Sequence, residues 1–263
     1  MSWRSRLGLL VLVLLAGLTG GHAALKALDA LPECPFGADP GMPYETVCSQ
    51  VVGGLWRSLL LGVVAGAGSC LAATALALLA RRVGGRFELA IEKGAELFFS
   101  IPDLLVLIVL GFVSRAVWGG EGVTLPFMIA SLVAIGWAAP TRMVQNRLRS
   151  LERLDFITAA HAIGVPRTRV LLRHVLPMAW DYLLAIFLLR VPAIILTEST
   201  ISYLGFGLPL DQPSLGRYLG GHWQLLATDD WVKVAPAWAL LALLVVAFHQ
   251  VGRGLLDRAE ESR

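Results

Sequence analysis

The sequence Thr158-Ala159-Ala160-His161-Ala162-Ile163-Gly164 is followed, after nine residues, by His174-Val175-Leu176-Pro177, and both stretches lie between long apolar segments. We call residues 152–177 the basic loop. Its alanine-rich part, residues 155–163, predicts a short helix, and the glycine that follows favours a turn. Pro166 fits the first position of a second helix, where its missing N–H costs little. The pattern therefore predicts a helix-turn-helix.

The composition places this loop on a membrane protein. Of the 263 residues, 56% are hydrophobic and only 16% are charged, and the mean hydropathy of +0.69 is too high for an ordinary soluble domain. A spanning helix needs about 20 mainly apolar residues. The continuous apolar runs, which lack the alternation of a β-barrel, predict six spans: residues 7–25, 58–80, 97–117, 123–141, 182–197 and 234–251.

Charge between the predicted spans fixes an orientation. Arginine and lysine precede the first span and follow the second and fourth, whereas residues 26–54 and 199–233 carry few of them. By the positive-inside rule, both termini and the basic loop are expected in the cytoplasm. This topology accounts for the pI near 9.0, so nucleic-acid binding is not expected.

The first apolar segment has two interpretations. Two arginines, an apolar run and a small-residue stretch ending near residue 24 also fit a cleaved signal peptide. Cleavage would leave five spans and place the new terminus outside. An uncleaved first span is therefore the favoured interpretation.

The three cysteines allow one disulfide but do not require it. Cys34 and Cys48 both fall in a predicted outer loop, where a disulfide is permitted, and two free thiols are the alternative. Cys70 lies within a span and is expected to pack as a small apolar residue. The sequence contains no metal-ligand spacing and no nucleophile–base pattern, so we expect neither a metal site nor catalytic residues.

The basic loop resembles the EAA motif of ABC importer permeases. That motif is Glu-Ala-Ala, three residues, Gly, nine residues, Ile, one residue and Leu-Pro. Thr158 replaces the Glu, and His174 replaces the Ile. The segment Arg173 to Pro177 resembles the Arg-His-Ile-Leu-Pro form of the dipeptide, oligopeptide and nickel subgroup. The residues that match the motif in register are Ala159, Ala160, Gly164, Leu176 and Pro177.

The similarity continues outside the loop. Pro-Phe-Gly-Ala-Asp at residues 35–39 resembles the subgroup's Pro-Phe-Gly-Thr-Asp, and residues 196–207 resemble its Leu-Ala-Glu-Ala-Ser-Leu-Ser-Phe-Leu-Gly-Leu-Gly. Pro-Ser-Leu-Gly at residues 213–216 is similar to its Pro-Ser-Trp-Gly. The resemblance spans residues 35–258.

This resemblance implies an all-α, type I (MetI-like) permease bundle in the bacterial inner membrane. The implied domains are a first helix and periplasmic loop at 1–54, a transmembrane core at 55–252, and a cytoplasmic tail at 253–263. Implied partners are a second homologous permease, an extracytoplasmic substrate-binding protein and two cytoplasmic ATPase subunits that bind ATP and Mg. The chain itself has no phosphate-loop motif, so we expect it to need no cofactor and to hydrolyse nothing.

The same resemblance implies that the basic loop couples the permease to its ATPases. Small side chains on its first helix would let it seat closely in a cleft of an ATPase subunit. The implied coupling residues are Thr158, Ala159, Ala160, His161, Gly164, Arg173, His174, Leu176 and Pro177.

Charged residues within the predicted spans are candidates for the substrate pathway. Asp103, Arg190 and Glu198 would each be costly in lipid and are expected to face protein or water. They suit the amine and carboxylate of a peptide. Structural pairing, with one another or with the partner permease, is the alternative.

The expected function is ATP-driven import of dipeptides or oligopeptides. One alternative keeps this architecture and changes the solute to a nickel chelate or another small molecule. The other is a secondary transporter or channel subunit that works without ATPases.

Overall fold

The structure is a computed structural model and describes residues 38–39, 42–119, 123–209 and 212–261. The predicted first span at residues 7–25, with its signal-peptide alternative, lies outside the described residues. So does Cys34, and with it the predicted Cys34–Cys48 bridge.

The described chain is mostly helical, which confirms the predicted all-α fold class. Two short antiparallel strands that the sequence did not predict, β1 (Ala38–Asp39) and β2 (Met42–Thr46), precede the first described helix. Two irregular turns also occur: a π-helical turn at Leu171–Val175 and a 3-10 turn at Trp223–Ala227. The helices are α1 (Val47–Val83), α2 (Gly85–Ser100), α3 (Asp103–Trp118), α4 (Leu125–Gly136), α5 (Ala138–Glu152), α6 (Asp155–Ala162), α7 (Arg167–Val170), α8 (Leu176–Met178), α9 (Trp180–Tyr203), α10 (Leu215–His222) and α11 (Trp231–Glu261).

Three of these helices are long and apolar enough to cross a membrane without interruption. They contain the segments Gln50–Val83, Trp180–Tyr203 and Trp231–Ala259. Two further candidates are bent pairs: α2 with α3, bent by 78°, and α4 with α5, bent by 45°. The described residues thus supply three to five spans, and the total of six stays a prediction.

The third and fourth spans do not run as predicted. The helix expected at 97–117 is interrupted because Ile101, which precedes Pro102, adopts an extended backbone. The helix expected at 123–141 bends at Trp137, and its continuation α5 is rich in charge. Apolar runs locate the lipid-facing half of each pair but not its break.

The other three predicted spans are shorter than the helices that contain them. Helices α1, α9 and α11 extend beyond residues 58–80, 182–197 and 234–251 at both ends. The segment expected to be a separate tail from residue 253 continues α11 as far as Glu261. A span predicted from hydrophobicity ends at the first charged residues. The helix itself continues past them, because its backbone hydrogen bonds do not depend on apolar side chains.

Helices α1, α9 and α11 form the centre of the bundle. Their contacts are close because glycines face large side chains: a Cβ at Gly62 would overlap Ile195, and a Cβ at Gly252 would overlap Leu189. Small residues of this kind let membrane helices approach one another. One buried cluster joins the start of α1 to the end of α9, α10 and the start of α11; it includes Val51, Leu55, Ile195, Leu215, Leu219, Val234 and Ala237.

At the opposite end of α1, a network of ion pairs holds the charged helices α2 and α5. Glu88 lies 2.7 Å from the Arg81 guanidinium and 2.8 Å from that of Arg149. Arg81 also pairs with Glu152, and Arg149 with Glu92. The network fastens α2 to its neighbours.

Helix α10 lies against the end of α9 with almost no space between the two backbones. A Cβ at Gly216 would overlap the backbone of Ser199, and one at Gly220 would press on that of Tyr203. Gly221, on the same short helix, has nothing within 4 Å of a Cβ. Only the first two positions therefore require glycine for close approach.

We expect Gly216→Ala to lower the free energy of unfolding by about 2 kcal/mol, because the added methyl group overpacks the α9–α10 contact. Gly221→Ala, the matched control, should be neutral or slightly stabilising. Thermal unfolding in detergent, followed by size-exclusion fluorescence, measures both. Equal melting temperatures for the two variants would contradict this packing.

Candidate functional site

The first arm of the basic loop is a short helix closed by a glycine turn. Helix α6 begins at Asp155, whose carboxylate favours the positive end of the helix dipole. At its end, Ile163 N–H donates to Ala159 O and Val165 N–H donates to Ala160 O, each with a donor–acceptor distance of 3.1 Å. Gly164 takes a φ of +86°, the left-handed backbone that this turn needs and that glycine adopts freely. The predicted turn is formed.

The second arm returns the chain to the bundle. A second helix, α7, starts here as the sequence predicted, but Pro166 is extended and directly precedes its first residue instead of occupying that position. The π-helical turn follows, and Leu176 N–H donates to Leu171 O. Pro177, within α8, has no N–H to continue the regular pattern, which is a physical reason for the altered turn. Wide turns of this kind are frequent at functional sites.

The inner face of the loop is buried against the bundle. Ile157 of α6 and Val175 of the π-helical turn are both fully buried. A third residue, Leu171, joins them against α5. The loop is therefore fixed to the bundle by apolar packing. The other members of this cluster are Ala77, Val144, Leu148, Leu151, Val170, Ala179 and Ile186.

The outer face of the loop is exposed and partly apolar. Ile163, at the tip, is 82% exposed, and Phe156 and Leu172 are about half exposed. Thr158 is exposed too, and its hydroxyl donates to the carbonyl oxygen of Leu154, just before the same helix, at a distance of 3.3 Å. Large apolar side chains left exposed on a charged loop are candidates for contact with a protein partner.

The remaining predicted coupling residues divide between the two faces. Ala159, Gly164, Arg173, His174 and Pro177 are exposed, whereas Ala160 and Leu176 are partly buried. The side chain of His161 lies outside the described residues.

Glu198 occupies a closed polar cluster. It is 0% exposed, and its carboxylate accepts hydrogen bonds from the hydroxyls of Ser202 at 2.7 Å and Ser214 at 2.6 Å. Ser58 donates at 3.2 Å and Ser199 at 3.5 Å. These residues belong to α1, α9 and the N-terminus of α10. The carboxylate of Glu198 is enclosed by its serine donors and joins three elements, which favours the structural alternative; its pathway role stays a prediction.

Asp103 and Arg190, in contrast, meet at a small opening. Both line a pocket of about 30 Å³ at the bend between α4 and α5, together with Gly136. The structure thus brings together two of the three predicted pathway charges and separates the third.

Comparison with known proteins decides the family. A family model described as "Binding-protein-dependent transport system inner membrane component" matches residues 67–258. The chain belongs to this family. The family predicted from the EAA-like motif is confirmed, and the chain is a membrane permease component.

Several curated relatives carry the names of peptide permeases. The oligopeptide permease protein OppC of Haemophilus influenzae is 29% identical over 200 residues, which cover 76% of this chain and 62% of that protein. OppC of Mycobacterium tuberculosis strain H37Rv is 27% identical, over 81% of this chain and 71% of that protein. The dipeptide permease protein DppC of Bacillus subtilis is 26% identical, over 95% of this chain and 77% of that protein. The permease therefore spans about three-fifths to three-quarters of these relatives' lengths.

A solved structure confirms the fold. A chain of the MetNI methionine ABC transporter, captured in inward-facing conformations, matches with a TM-score of 0.60 and 20% identity. The match covers 81% of the permease and 97% of that chain. The predicted MetI-like bundle is therefore correct.

The sequence analysis missed one buried contact beside the basic loop, made by Arg147. Arg147 looked like one more cytoplasmic cation, but it is 5% exposed. Its guanidinium donates to Ala259 O over 2.9 Å and lies 5.4 Å from the centre of the Tyr182 ring. It thereby ties α5, next to the basic loop, to α9 and to the end of α11. Its partners lie far away in the chain, so no local pattern signals this contact.

We expect Glu198→Ala to destabilise the permease by about 3 kcal/mol, because serine hydroxyls would lose their buried acceptor. Asp181→Ala removes an exposed carboxylate from the same helix and should leave stability unchanged. Thermal unfolding in detergent measures both variants. A Glu198→Ala variant that unfolds at the wild-type temperature but fails in transport would instead support a pathway role.

Proposed function

We propose that this permease forms half of the translocation pathway of an ATP-driven peptide importer in the bacterial inner membrane. A second homologous permease supplies the other half. Two cytoplasmic ATPase subunits bind ATP and Mg, and an extracytoplasmic binding protein delivers the solute. The family description, which names a binding-protein-dependent system, supports this assembly. In this assembly the permease itself is expected to contribute no catalytic residue and to bind no cofactor.

The observation that carries the proposal is the two-sided basic loop. Its inner face is buried in the bundle and its outer face exposes Ile163, Phe156 and Leu172. A movement of an ATPase bound at the outer face would therefore be transmitted through the inner face to the spans. When two ATPases close around ATP, the paired loops move together, and the bundles change access as rigid bodies.

Charge on the loop complements this apolar contact. Arg153, Arg167, Arg169 and Arg173 are exposed around it and suit acidic groups at the rim of an ATPase cleft. Thr158, in place of the usual Glu, brings no carboxylate to this contact. We infer that apolar packing and arginine contacts carry the binding here.

The topology proposed for the permease follows from its charges. Both termini and the basic loop face the cytoplasm, where the ATPases lie. The transmembrane core occupies residues 55–252, preceded by a first helix and periplasmic loop at 1–54.

Peptides are the proposed cargo because the relatives described above are named as oligopeptide and dipeptide permeases. A peptide also suits the charged pocket of Asp103 and Arg190, which offers a cation and an anion within the spans.

We expect Ile163→Glu to weaken ATPase binding at least tenfold, because it places a charge in an apolar contact. Gly164→Trp should abolish transport, since a bulky side chain blocks close contact between the loop and the ATPase and opposes the positive φ at this position. Co-purification of the ATPases with tagged permease measures the first effect, and membrane insertion of each variant is checked separately.

The matched control is Leu226→Glu, the same change at a 49% exposed leucine in the 3-10 turn after α10, away from the basic loop. It should retain the ATPases. Undiminished co-purification and uptake with Ile163→Glu and Gly164→Trp would contradict coupling through this loop.

We expect the complete transporter in proteoliposomes, with its binding protein, to accumulate radiolabelled tri-alanine only when ATP is supplied. An excess of unlabelled tri-alanine should suppress uptake, whereas a nickel chelate should not. Uptake driven by an ion gradient without ATP would identify a secondary transporter instead. Uptake of the nickel chelate but not of tri-alanine would support an ATP-driven importer whose solute is a nickel chelate instead of a peptide.

A further inference from the structure

The pocket at the α4–α5 bend is built around the side chain of Arg190. This arginine lies midway along the spanning helix α9, and Asp103 begins α3 on another wall of the pocket. The volume of about 30 Å³ has room for one water molecule or one end group, not for a whole solute. The remaining lining residues are Phe98, Ile135, Gly136, Ala138 and Ala139.

Gly136 makes room for the guanidinium. A Cβ at this position would overlap a terminal nitrogen of Arg190 and would lie 2.9 Å from the Ser69 hydroxyl oxygen. Any larger residue would therefore displace the guanidinium. The position at the end of α4 thus admits the cation into the pocket.

Arg190 and Asp103 attract each other electrostatically across the pocket, but no direct ion pair joins Arg190 to a described carboxylate. The Nε of Arg190 is buried without a hydrogen-bond partner in the described part of the chain, and Asp103 is exposed. Charges within a membrane-spanning region are too costly to face lipid, so we expect the pocket to meet protein, water or a polar ligand.

Leu105, Val109 and Phe112 of α3 are all more than half exposed, but they lie on the side of the helix away from Asp103. The pocket is reached at Asp103 itself, whose side chain is exposed.

We propose that this pocket is a socket for the terminal carboxylate of the transported peptide, held by Arg190. The planar guanidinium donates two parallel hydrogen bonds to a carboxylate, which a lone water cannot match. Asp103 accepts an ammonium or amide N–H from the same peptide. The inference rests on the proposed import of peptides.

Protection of an engineered cysteine tests the socket. Ala139→Cys places a thiol in the pocket wall of the assembled transporter, with Cys34, Cys48 and Cys70 replaced by Ser. The complex is held in lipid nanodiscs so that a charged methanethiosulfonate reagent reaches both faces. The control is Leu71→Cys, at a 71% exposed leucine on the apolar span of α1.

We expect the thiol at position 139 to react and that at position 71 to stay unreacted in lipid. Millimolar tri-alanine should slow the reaction at 139 at least fivefold, whereas tri-alanine amide, which lacks the carboxylate, should not. Arg190→Gln should abolish the protection. Gly136→Ala should abolish it as well, because it displaces the guanidinium but retains its charge.

No reaction at position 139 would mean a sealed pocket and would overturn the proposal. Equal protection by the acid and the amide would also overturn it. If Arg190→Gln fails to assemble, Gly136→Ala decides: retained protection assigns Arg190 a structural role without solute contact, and loss of protection supports the socket. Protection by tri-alanine without ATP-driven uptake would support the socket and contradict peptide import. ATP-driven uptake of tri-alanine without protection would support peptide import and contradict the socket.

Discussion

The structure depends on apolar contact between the basic loop and the bundle. Ile157, Leu171 and Val175 are buried against α5. Each fully buried side chain of this size contributes about 1.5–3 kcal/mol. The loop therefore cannot shift without moving α5. Arg147 adds a second link from that helix to α11. A loop anchored in this way connects events outside the membrane to the spans within it.

A second constraint is that polar groups inside the bilayer must find partners in the protein or in enclosed water. Glu198 meets this constraint completely through its serine donors. Arg190 meets it only in part, because it faces Asp103 across a small pocket while its Nε has no hydrogen-bond partner among the described residues. Charged residues of the spans thus have two kinds of surroundings: the enclosed carboxylate holds helices together, and the pair at the pocket is the one that we propose to meet a solute. Burial of partners separates the two roles more clearly than charge does.

Local chemistry predicted the basic loop well, because its turn requires Gly164 and its second arm starts after Pro166. The same reasoning misplaced the ends of the spans, since apolar runs do not register the break before Pro102. It also grouped Glu198 with Arg190. Their difference depends on distant partners: Ser58 lies 140 positions before Glu198. Contacts of that separation are set by packing and leave no local pattern.

Photo-cross-linking tests the central claim of coupling most directly. A benzoyl-phenylalanine at position 163 of the permease, in the intact transporter, should form an adduct with an ATPase subunit on irradiation. The same probe at position 226 should form none with that subunit. The account predicts an ATPase adduct from position 163 alone. An ATPase adduct from position 226, or only lipid adducts from position 163, would contradict it.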